Sequence, residues 1–235
     1  MRWRGLLLLL ALWGQAAAAE DVRVAVSSNF LPTAQKIAAA FEAGTGHEVV
    51  LSNGSTGLLF AQIMAGAPFD VFLSADDERP RRLFQEGRAL DTRAYAIGAL
   101  ALLSKDPVLI DAVQAQFAGK TVALADPTVA PYGQAATRAM EALDLDTSTF
   151  RPVLVSNVGQ VATVFATGNA DLAFVSVAQL DRLQAPHVLL LDGIAPAIRQ
   201  DAALLTDAPA PRAFWDWLQR EETTSLIVAE GYEAP

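Results

Sequence analysis

Residues 22–30 have the sequence Val22-Arg23-Val24-Ala25-Val26-Ser27-Ser28-Asn29-Phe30, a short apolar run that ends in hydroxyl and amide side chains. Apolar residues then recur at helical spacing, so the stretch predicts a β-strand that leads directly into an α-helix. Ser28 and Asn29 stand at the start of this helix, where free backbone N–H groups and the helix dipole favour an anion. Ser and Asn are also common N-caps, so one such junction is more readily explained by capping than by ligand binding.

The same strand, polar loop and helix pattern occurs three more times along the chain. The other copies are residues 48–57, 121–133 and 153–160, whose loops contain Ser52-Asn53-Gly54-Ser55-Thr56-Gly57, Pro131-Tyr132-Gly133 and Ser156-Asn157-Val158-Gly159. Alternation of short apolar strands with helices is typical of an α/β protein with largely parallel sheets. Gly54 and Gly57 would allow the backbone to approach a ligand closely. Four copies of the junction favour a binding site over simple capping.

Two long runs, the apolar run Ala94 to Ser104 and the run Ile198 to Thr206, interrupt this pattern and predict crossings between two lobes. The prediction places residues 20–96 and 200–235 in the first lobe and residues 97–199 in the second. The tail, residues 209–232, has a helical pattern in which Trp215 and Trp217 are interpreted as packing residues.

Residues 1–19 are predicted to be a cleaved secretory signal, because Arg2 and Arg4 precede a short apolar run and small residues end at Ala19. Cleavage after Ala19 would leave 15 Lys and Arg against 26 Asp and Glu, a net charge of −11. This acidic balance argues against a nucleic-acid or anionic-membrane partner. The chain has no Cys, so disulfides cannot stabilise it and a lipid anchor at the cleavage site is not expected.

The four loops contain no Lys, Arg, Asp, Glu or His, so their donors are hydroxyls, amides and backbone N–H groups. That composition suits a small, fully deprotonated dianion, because any nearby carboxylate would repel it. A protonated oxyanion such as hydrogen phosphate would need an acceptor for its proton. Asp126 is the nearest acid, and the following Pro127 favours a turn role for it.

Enzyme and metal motifs are weak. Gly119-Lys120-Thr121 is similar to the end of a phosphate loop, but Gln114 replaces the first Gly and a strand follows. His47 and His187 are interpreted as structural. Asp76-Asp77-Glu78 suits the first turn of a helix better than a divalent metal site. A hydrolase or transferase that uses Ser28 or Ser55 as its nucleophile is disfavoured, since neither has a recognisable base.

The order of motifs along the chain resembles the periplasmic molybdate-binding proteins of ABC importers. The matching segments are Ser28-Asn29-Phe30, Gly44-Thr45-Gly46-His47, Gly54-Ser55-Thr56-Gly57, Gly66-Ala67-Pro68-Phe69-Asp70-Val71-Phe72, Ala130-Pro131-Tyr132-Gly133, Asn157-Val158-Gly159-Gln160 and Ala170-Asp171-Leu172-Ala173-Phe174-Val175. The resemblance implies the type II periplasmic binding fold, in which two α/β lobes are joined by two crossover strands and the ligand cleft lies between them.

The resemblance also implies the contact residues for a tetrahedral oxyanion. These are Ser28, Asn29, Ser55 or Thr56 or both, Tyr132, and Val158 through its backbone N–H. Some members of the family place a ligand-contacting Tyr where this chain has Ser176. This departure gives more weight to the Tyr132 loop.

The expected function is therefore a periplasmic receptor that captures molybdate and tungstate and delivers them to an ABC transporter permease in the inner membrane. It would be a monomer and no enzyme, without a cofactor, and molybdenum or tungsten would be present only in the bound oxyanion. A receptor for sulfate or another tetrahedral oxyanion is the alternative, because discrimination among these anions depends on cavity size.

Overall fold

A computed structural model describes residues 21–183 and 185–235. The predicted signal peptide lies outside the described residues. Ten strands, numbered in chain order, form two five-stranded sheets. They are β1 (Asp21–Ser27), β2 (Glu48–Gly54), β3 (Val71–Leu73), β4 (Asp91–Gly98), β5 (Leu100–Ser104), β6 (Thr121–Ala125), β7 (Arg151–Val155), β8 (Leu172–Ser176), β9 (His187–Leu190) and β10 (Ile198–Leu204). The first sheet has the order β2-β1-β3-β10-β4 and the second β7-β6-β8-β5-β9.

Eight α-helices connect and cover these strands. They are α1 (Leu31–Thr45), α2 (Thr56–Met64), α3 (Glu78–Gln85), α4 (Val113–Phe117), α5 (Pro131–Ala142), α6 (Val158–Ala166), α7 (Pro209–Trp217) and α8 (Glu221–Ala229). Short 3₁₀ helices occur at Ile110–Ala112, Thr147–Thr149 and Val177–Arg182. Within the described ranges, every helix is too short or too polar to cross a membrane.

The parallel strands at the centre of each sheet place the important helix ends together. In the first sheet β1 pairs in parallel with β2 and β3, and in the second β6 pairs in parallel with β7 and β8. Helices that follow neighbouring parallel strands begin at the same edge of a sheet. Helices α1 and α2 therefore begin side by side in the first lobe, as α5 and α6 do in the second.

One predicted boundary differs from the observed one. Strand β2 continues to Gly54, because residues 52–54 pair in register with Ala25, Val26 and Ser27 of β1 and so are not a loop. The predicted crossing within Ala94 to Ser104 lies at Ala99, because β4 and β5 flank this residue and belong to different sheets. The chain returns to the first sheet in β10, which pairs with β4 in antiparallel orientation.

Each sheet carries its own apolar core. Phe41 lies edge-to-face against Phe214 and Trp217 in the first lobe, and Phe117 against Phe150 in the second. Trp215 is buried in the first core, as its interpretation as a packing residue predicts. Edge-to-face aromatic pairs add about 0.5–1.5 kcal/mol each beyond the burial of their surface. A chain without Cys depends on this packing for its stability.

One buried carboxylate ties three strands of the first sheet together. Asp70, which is 4% exposed, accepts hydrogen bonds from the backbone N–H of Arg23 at 2.8 Å and from the Thr206 hydroxyl at 3.0 Å. The Arg23 guanidinium lies 3.2 Å away and completes the interaction. Asp70 directly precedes β3, and its carboxylate thus joins this strand to β1 and to the segment that follows β10.

The Asp70→Ala substitution should lower the free energy of unfolding by about 2–3 kcal/mol, because it removes a charged acceptor and leaves buried donors unpaired. Glu86→Ala is the matched control, since the pair of Glu86 with Arg82 is exposed and lies on one face of α3. Its effect should stay within about 0.5 kcal/mol. Urea unfolding of both variants checks the difference, and equal effects would contradict this role of Asp70.

Candidate functional site

The four strand–helix junctions meet at a small cavity between the two sheets. Its volume is about 10 Å³, which is close to the minimum that holds one water molecule and far below the hundreds of Å³ that organic ligands require. The lining consists of Ser27, Ser28, Asn29, Gly54, Ser55, Thr56, Ala75, Ala130, Pro131, Tyr132, Asn157 and Val158. All six sequence-predicted contact residues belong to this lining, and none of the twelve carries a charged side chain.

At only one of the four junctions does a polar side chain cap the helix that follows. At α6 the Asn157 carboxamide oxygen accepts a hydrogen bond from the Gln160 N–H at 3.0 Å. Helices α1, α2 and α5 have no side-chain cap. Within the described part of the chain, the backbone N–H groups of Asn29, Ser55 and Val158 have no acceptor. These N–H groups line the cavity region and provide a set of preformed donors.

Ser55 and Thr56 are adjacent, but their hydroxyls have different surroundings. Thr56 Oγ1 lies 2.6 Å from Ser27 Oγ and also accepts a hydrogen bond from the Ala75 N–H at 3.3 Å. Ser55 Oγ is the only buried side-chain nitrogen or oxygen in residues 21–183 and 185–235 that has no hydrogen-bond partner. Such groups are costly unless a ligand or water satisfies them. Ser55 can therefore contact a ligand, whereas Thr56 supports the framework around it.

Asn29 belongs to the cavity lining, and its side chain is hydrogen-bonded within the first lobe. Its carboxamide nitrogen donates to Gln200 Oε1 at 2.9 Å and to the Tyr232 hydroxyl at 3.2 Å. Both amide hydrogens are thus used inside the first lobe, and the group that remains for a ligand is the backbone N–H. Ser28 reaches the other lobe, because its Oγ accepts a hydrogen bond from the Gly159 N–H at 3.3 Å.

Tyr132 lies at the start of α5 and is 2% exposed. Its hydroxyl accepts hydrogen bonds from Ser176 Oγ at 2.9 Å and from Gln200 Nε2 at 3.4 Å. Burial raises the pKa of Tyr132 to about 12, so its hydroxyl keeps its proton at neutral pH. Ser176, which stands where some family members have a contacting Tyr, binds Tyr132 and does not belong to the cavity lining.

Two other predicted features have different roles in the structure. Gly57 approaches the opposite lobe and not the cavity, since its N–H donates to the Val129 carbonyl at 2.8 Å. A Cβ at this position would lie 3.0 Å from Val129 Cα and O, so Gly is needed for the approach. Asp76 forms an ion pair with Arg79 at the start of α3. The described residues contain no cluster of three or more potential metal ligands.

Asp126 has the turn role that its sequence context predicts. Its carboxylate accepts hydrogen bonds from the Thr128 hydroxyl at 2.7 Å and from the Thr128 N–H at 2.9 Å. These bonds lower the pKa of Asp126. The carboxylate therefore stays charged and engaged in the turn, and it provides no acceptor in the cavity lining.

Sequence reasoning missed three buried residues next to the site: Tyr95, Gln200 and Tyr232. The Tyr95 hydroxyl lies 2.9 Å from the Ser74 carbonyl and 3.1 Å from Gln200 Oε1, and its single hydrogen is shared between these two acceptors. The Tyr232 hydroxyl donates to the Asn29 carbonyl at 2.9 Å. The sequence gives little signal for Gln200, because it stands between Arg199 and Asp201 in β10. Such a polar residue is buried only where it is hydrogen-bonded.

Two α/β lobes, joined by crossings between the sheets and enclosing an uncharged polar cavity, define a type II periplasmic binding protein. Residues 22–233 match the family described as bacterial extracellular solute-binding protein, and the chain belongs to this family.

Three similar proteins share nearly the whole chain. The chain is 39% identical over 230 residues to the molybdate-binding protein ModA of Azotobacter vinelandii, and the match covers 92% of this chain and 91% of that protein. It is 38% identical to the ModA protein of Rhodobacter capsulatus, with coverage of 92% and 89%. A solved structure of the periplasmic molybdate-binding protein of Azotobacter vinelandii has a TM-score of 0.82 and 36% identity, with coverage of 91% of this chain and 99% of that one.

All three tyrosines of the chain are buried at this site, which gives a direct test by ultraviolet titration. Burial raises the pKa of Tyr95 and Tyr232 as well as that of Tyr132. The folded protein should therefore show almost no tyrosinate absorbance near pH 10, where about half of the tyrosine side chains should be ionised in the protein unfolded in guanidinium. Because the raised values belong to the folded state, the stability they contribute is complete below pH 10 and falls as the pH rises towards 12. Ionisation of a tyrosine at pH 10 without unfolding would contradict the described burial.

Proposed function

We propose that this protein captures molybdate, and also tungstate, and delivers it to the permease of an ABC importer. The single observation that carries this proposal is the cavity whose lining contains preformed hydrogen-bond donors and no charged group. The two relatives named molybdate-binding protein support the choice of ligand, since each aligns with nine-tenths of this chain at 38–39% identity.

The chemistry of the lining suits a tetrahedral dianion. Each oxygen of such an anion needs donors, and hydrogen bonds to a charged acceptor are about twice as strong as those between neutral groups. Ser55 Oγ and the N–H groups of Asn29, Ser55 and Val158 have no competing partner. The N-termini of the surrounding helices add their dipoles. A singly protonated phosphate would bring a donor of its own into a lining that offers no carboxylate to accept it.

The proposed contact set is Ser28, Asn29, Ser55, Tyr132 and Val158, with Asn29 and Val158 acting through backbone N–H groups. Thr56 acts indirectly, because its hydroxyl is held by Ser27 and Ala75. This set is divided between the lobes, because Ser28, Asn29 and Ser55 follow strands of the first sheet and Tyr132 and Val158 follow strands of the second. The anion would therefore bind the closed arrangement more tightly than an open one and shift the population towards it.

The remaining features of the proposal concern partners and location. The protein would act as a monomer in the periplasm, after cleavage of its signal peptide behind Ala19, and would need no cofactor. It would not be an enzyme. Among residues 21–183 and 185–235, Ser55 Oγ has no partner to act as its base, and Ser28 Oγ is bonded only to the Gly159 N–H, which is a donor and not a base.

Calorimetric titration with molybdate, tungstate, sulfate and phosphate tests the choice of anion. Molybdate and tungstate should bind with similar affinity, sulfate more weakly because its shorter bonds would leave its oxygens farther from the fixed donors, and phosphate weakest because of its proton. Saturation at a hundred times the dissociation constant should raise the stability by about 2.7 kcal/mol. Sulfate binding as tight as that of molybdate would overturn the assignment in favour of the alternative, a receptor for sulfate or another tetrahedral oxyanion.

The pair Ser55→Ala and Thr56→Val tests which hydroxyl contacts the anion. Ser55→Ala should weaken molybdate binding by about tenfold or more and leave the free energy of unfolding unchanged or higher, because it removes an unpaired buried hydroxyl. Thr56→Val should instead lower stability by about 1–2 kcal/mol through the loss of the Ser27 and Ala75 bonds. Calorimetry and urea unfolding on both variants separate the two roles. Equal loss of affinity in both variants, without a stability difference, would contradict them.

A further inference from the structure

Six polar side chains form a buried network beside the cavity, here called the polar network. Its members come from both lobes, and each is at most 5% exposed: Asn29, Tyr95, Tyr132, Ser176, Gln200 and Tyr232. Of these, only Asn29 and Tyr132 also belong to the cavity lining. Burying so many polar groups is favourable only when they are hydrogen-bonded, and a satisfied network specifies one arrangement of its members.

Gln200 occupies the centre of this network. Its Oε1 accepts a hydrogen bond from Asn29 Nδ2 at 2.9 Å and lies 3.1 Å from the Tyr95 hydroxyl, whose single hydrogen it shares with the Ser74 carbonyl; both partners are in the first lobe. Its Nε2 donates to the Tyr132 hydroxyl in the second lobe at 3.4 Å, the longest of the three contacts. One planar carboxamide thus holds a cavity residue from each lobe, and it lies on β10, the strand by which the chain returns to the first sheet.

The bonds to Tyr132 also restrict its hydroxyl hydrogen. A phenolic oxygen has one hydrogen to donate and two lone pairs to accept with. Ser176 and Gln200 both donate to the Tyr132 oxygen, so its own hydrogen is left for another acceptor. Within the described residues, that hydrogen has no protein acceptor. An oxyanion in the cavity would be a suitable one.

Gly98 makes room for the contact between the lobes. A Cβ at this position would lie 2.3 Å from the Tyr132 hydroxyl oxygen and 2.6 Å from Gln200 Nε2. The Gly98 backbone lies outside the left-handed region, so the absence of a side chain, and not an unusual φ, is what this site requires. Gly98 is the last residue of β4, where the chain leaves the first sheet.

We propose that Gln200 is a positioning residue for anion capture: its carboxamide links Asn29 to the Tyr132 hydroxyl across the lobes, orients that hydroxyl as a donor and favours the closed arrangement. The inference rests on the proposed function, since the group that it orients serves the anion. Gln200 itself is not part of the cavity lining.

A double-mutant cycle with Gln200→Met and Tyr132→Phe tests this link, with the dissociation constant of molybdate as the readout. If Gln200 acts through the Tyr132 hydroxyl, Gln200→Met should weaken binding about tenfold in the wild-type background and less than about threefold in the Tyr132→Phe background. The variant should fold, because Asn29 retains its bond to Tyr232 and Tyr95 retains its bond to Ser74. Equal losses in both backgrounds, or no loss in either, would overturn the proposal.

Thr223→Val is the matched control for the loss of a buried hydrogen bond. The Thr223 hydroxyl donates to the Trp217 carbonyl at 2.8 Å, outside the polar network and the cavity lining. This variant should lose stability and keep the wild-type affinity for molybdate. If it weakened molybdate binding as much as Gln200→Met does, general loosening of the fold would explain both effects and the positioning role would be wrong.

Gln200→Glu keeps the shape of the side chain and adds a pH-dependent readout. The ionised carboxyl cannot donate to Tyr132, accepts a bond from it and repels the dianion, whereas the protonated carboxyl restores a donor. The affinity of this variant should therefore be low at neutral pH and rise as the pH falls, over a range in which molybdate stays unprotonated. The titratable and charged groups around it are Tyr95, Tyr132 and Tyr232, whose pKa values burial raises, and the more distant Asp76, Asp201 and Arg182.

The Gly98→Ala substitution supplies an independent variant in which Tyr132 and Gln200 both remain. It should separate Tyr132 from Gln200 and weaken molybdate binding, although replacing Gly where φ is ordinary normally stabilises a fold. Wild-type affinity in both Gly98→Ala and Gln200→Glu at all pH values would overturn the positioning role and leave the proposed function intact. A wild-type protein that binds none of the four tetrahedral anions would overturn the proposed function, and this inference with it.

Discussion

The structure depends on one electrostatic constraint: an anion site must be built without a cation. No residue of the cavity lining is charged, and the protein as a whole is acidic, with a formal net charge of −9. An anion that leaves water for such a site must regain its hydration through hydrogen bonds from neutral donors. Backbone N–H groups cannot rotate towards a ligand as side chains do. Their positions must therefore be set in advance by the elements that carry them.

The topology of the two sheets satisfies this constraint. Parallel pairing of β1 with β2 and of β6 with β7 places the starts of α1, α2, α5 and α6 at facing edges. Three of these helices have no side-chain cap. Among the described residues, the N–H groups of Asn29, Ser55 and Val158 have no acceptor. Nearby polar side chains form hydrogen bonds with other protein groups: Thr56 bonds to Ser27, and Asn29 bonds to Gln200. The unpartnered Ser55 hydroxyl is the exception, and its cost is offset only when a ligand or water binds it.

Division of the site between lobes connects binding to motion. Direct contacts across the cleft join Gly57 to Val129 and Gly159 to Ser28, and both involve a Gly that lets the lobes approach. The polar network lies beside the same cavity and uses residues of β4 and β10, the strands at which the chain leaves and re-enters the first sheet. A chain without Cys cannot restrain this motion with disulfides. Its two cores and the hydrogen bonds between them must allow movement and still specify the closed arrangement.

The sequence by itself determined the α/β class, the four strand–helix junctions and the uncharged character of the site. These features follow from local rules, because the period of apolar residues identifies an element and the chain order of strand and helix locates its N-terminus. The six candidate residues were found in the same way and with the help of the family resemblance, and all six lie in one lining. That they contact the anion remains a prediction.

Only the tertiary structure decided which polar atoms are available to a ligand. Asn29 turns its amide towards Gln200, which is 171 positions further along the chain, and Gly57 approaches Val129 in the other lobe. Strand β2 extended beyond its predicted end for the same reason, since pairing with β1 continues to Gly54. A local pattern shows which residue type stands at a helix start, but the direction of its side chain is set by hydrogen-bond partners that folding brings from distant parts of the sequence.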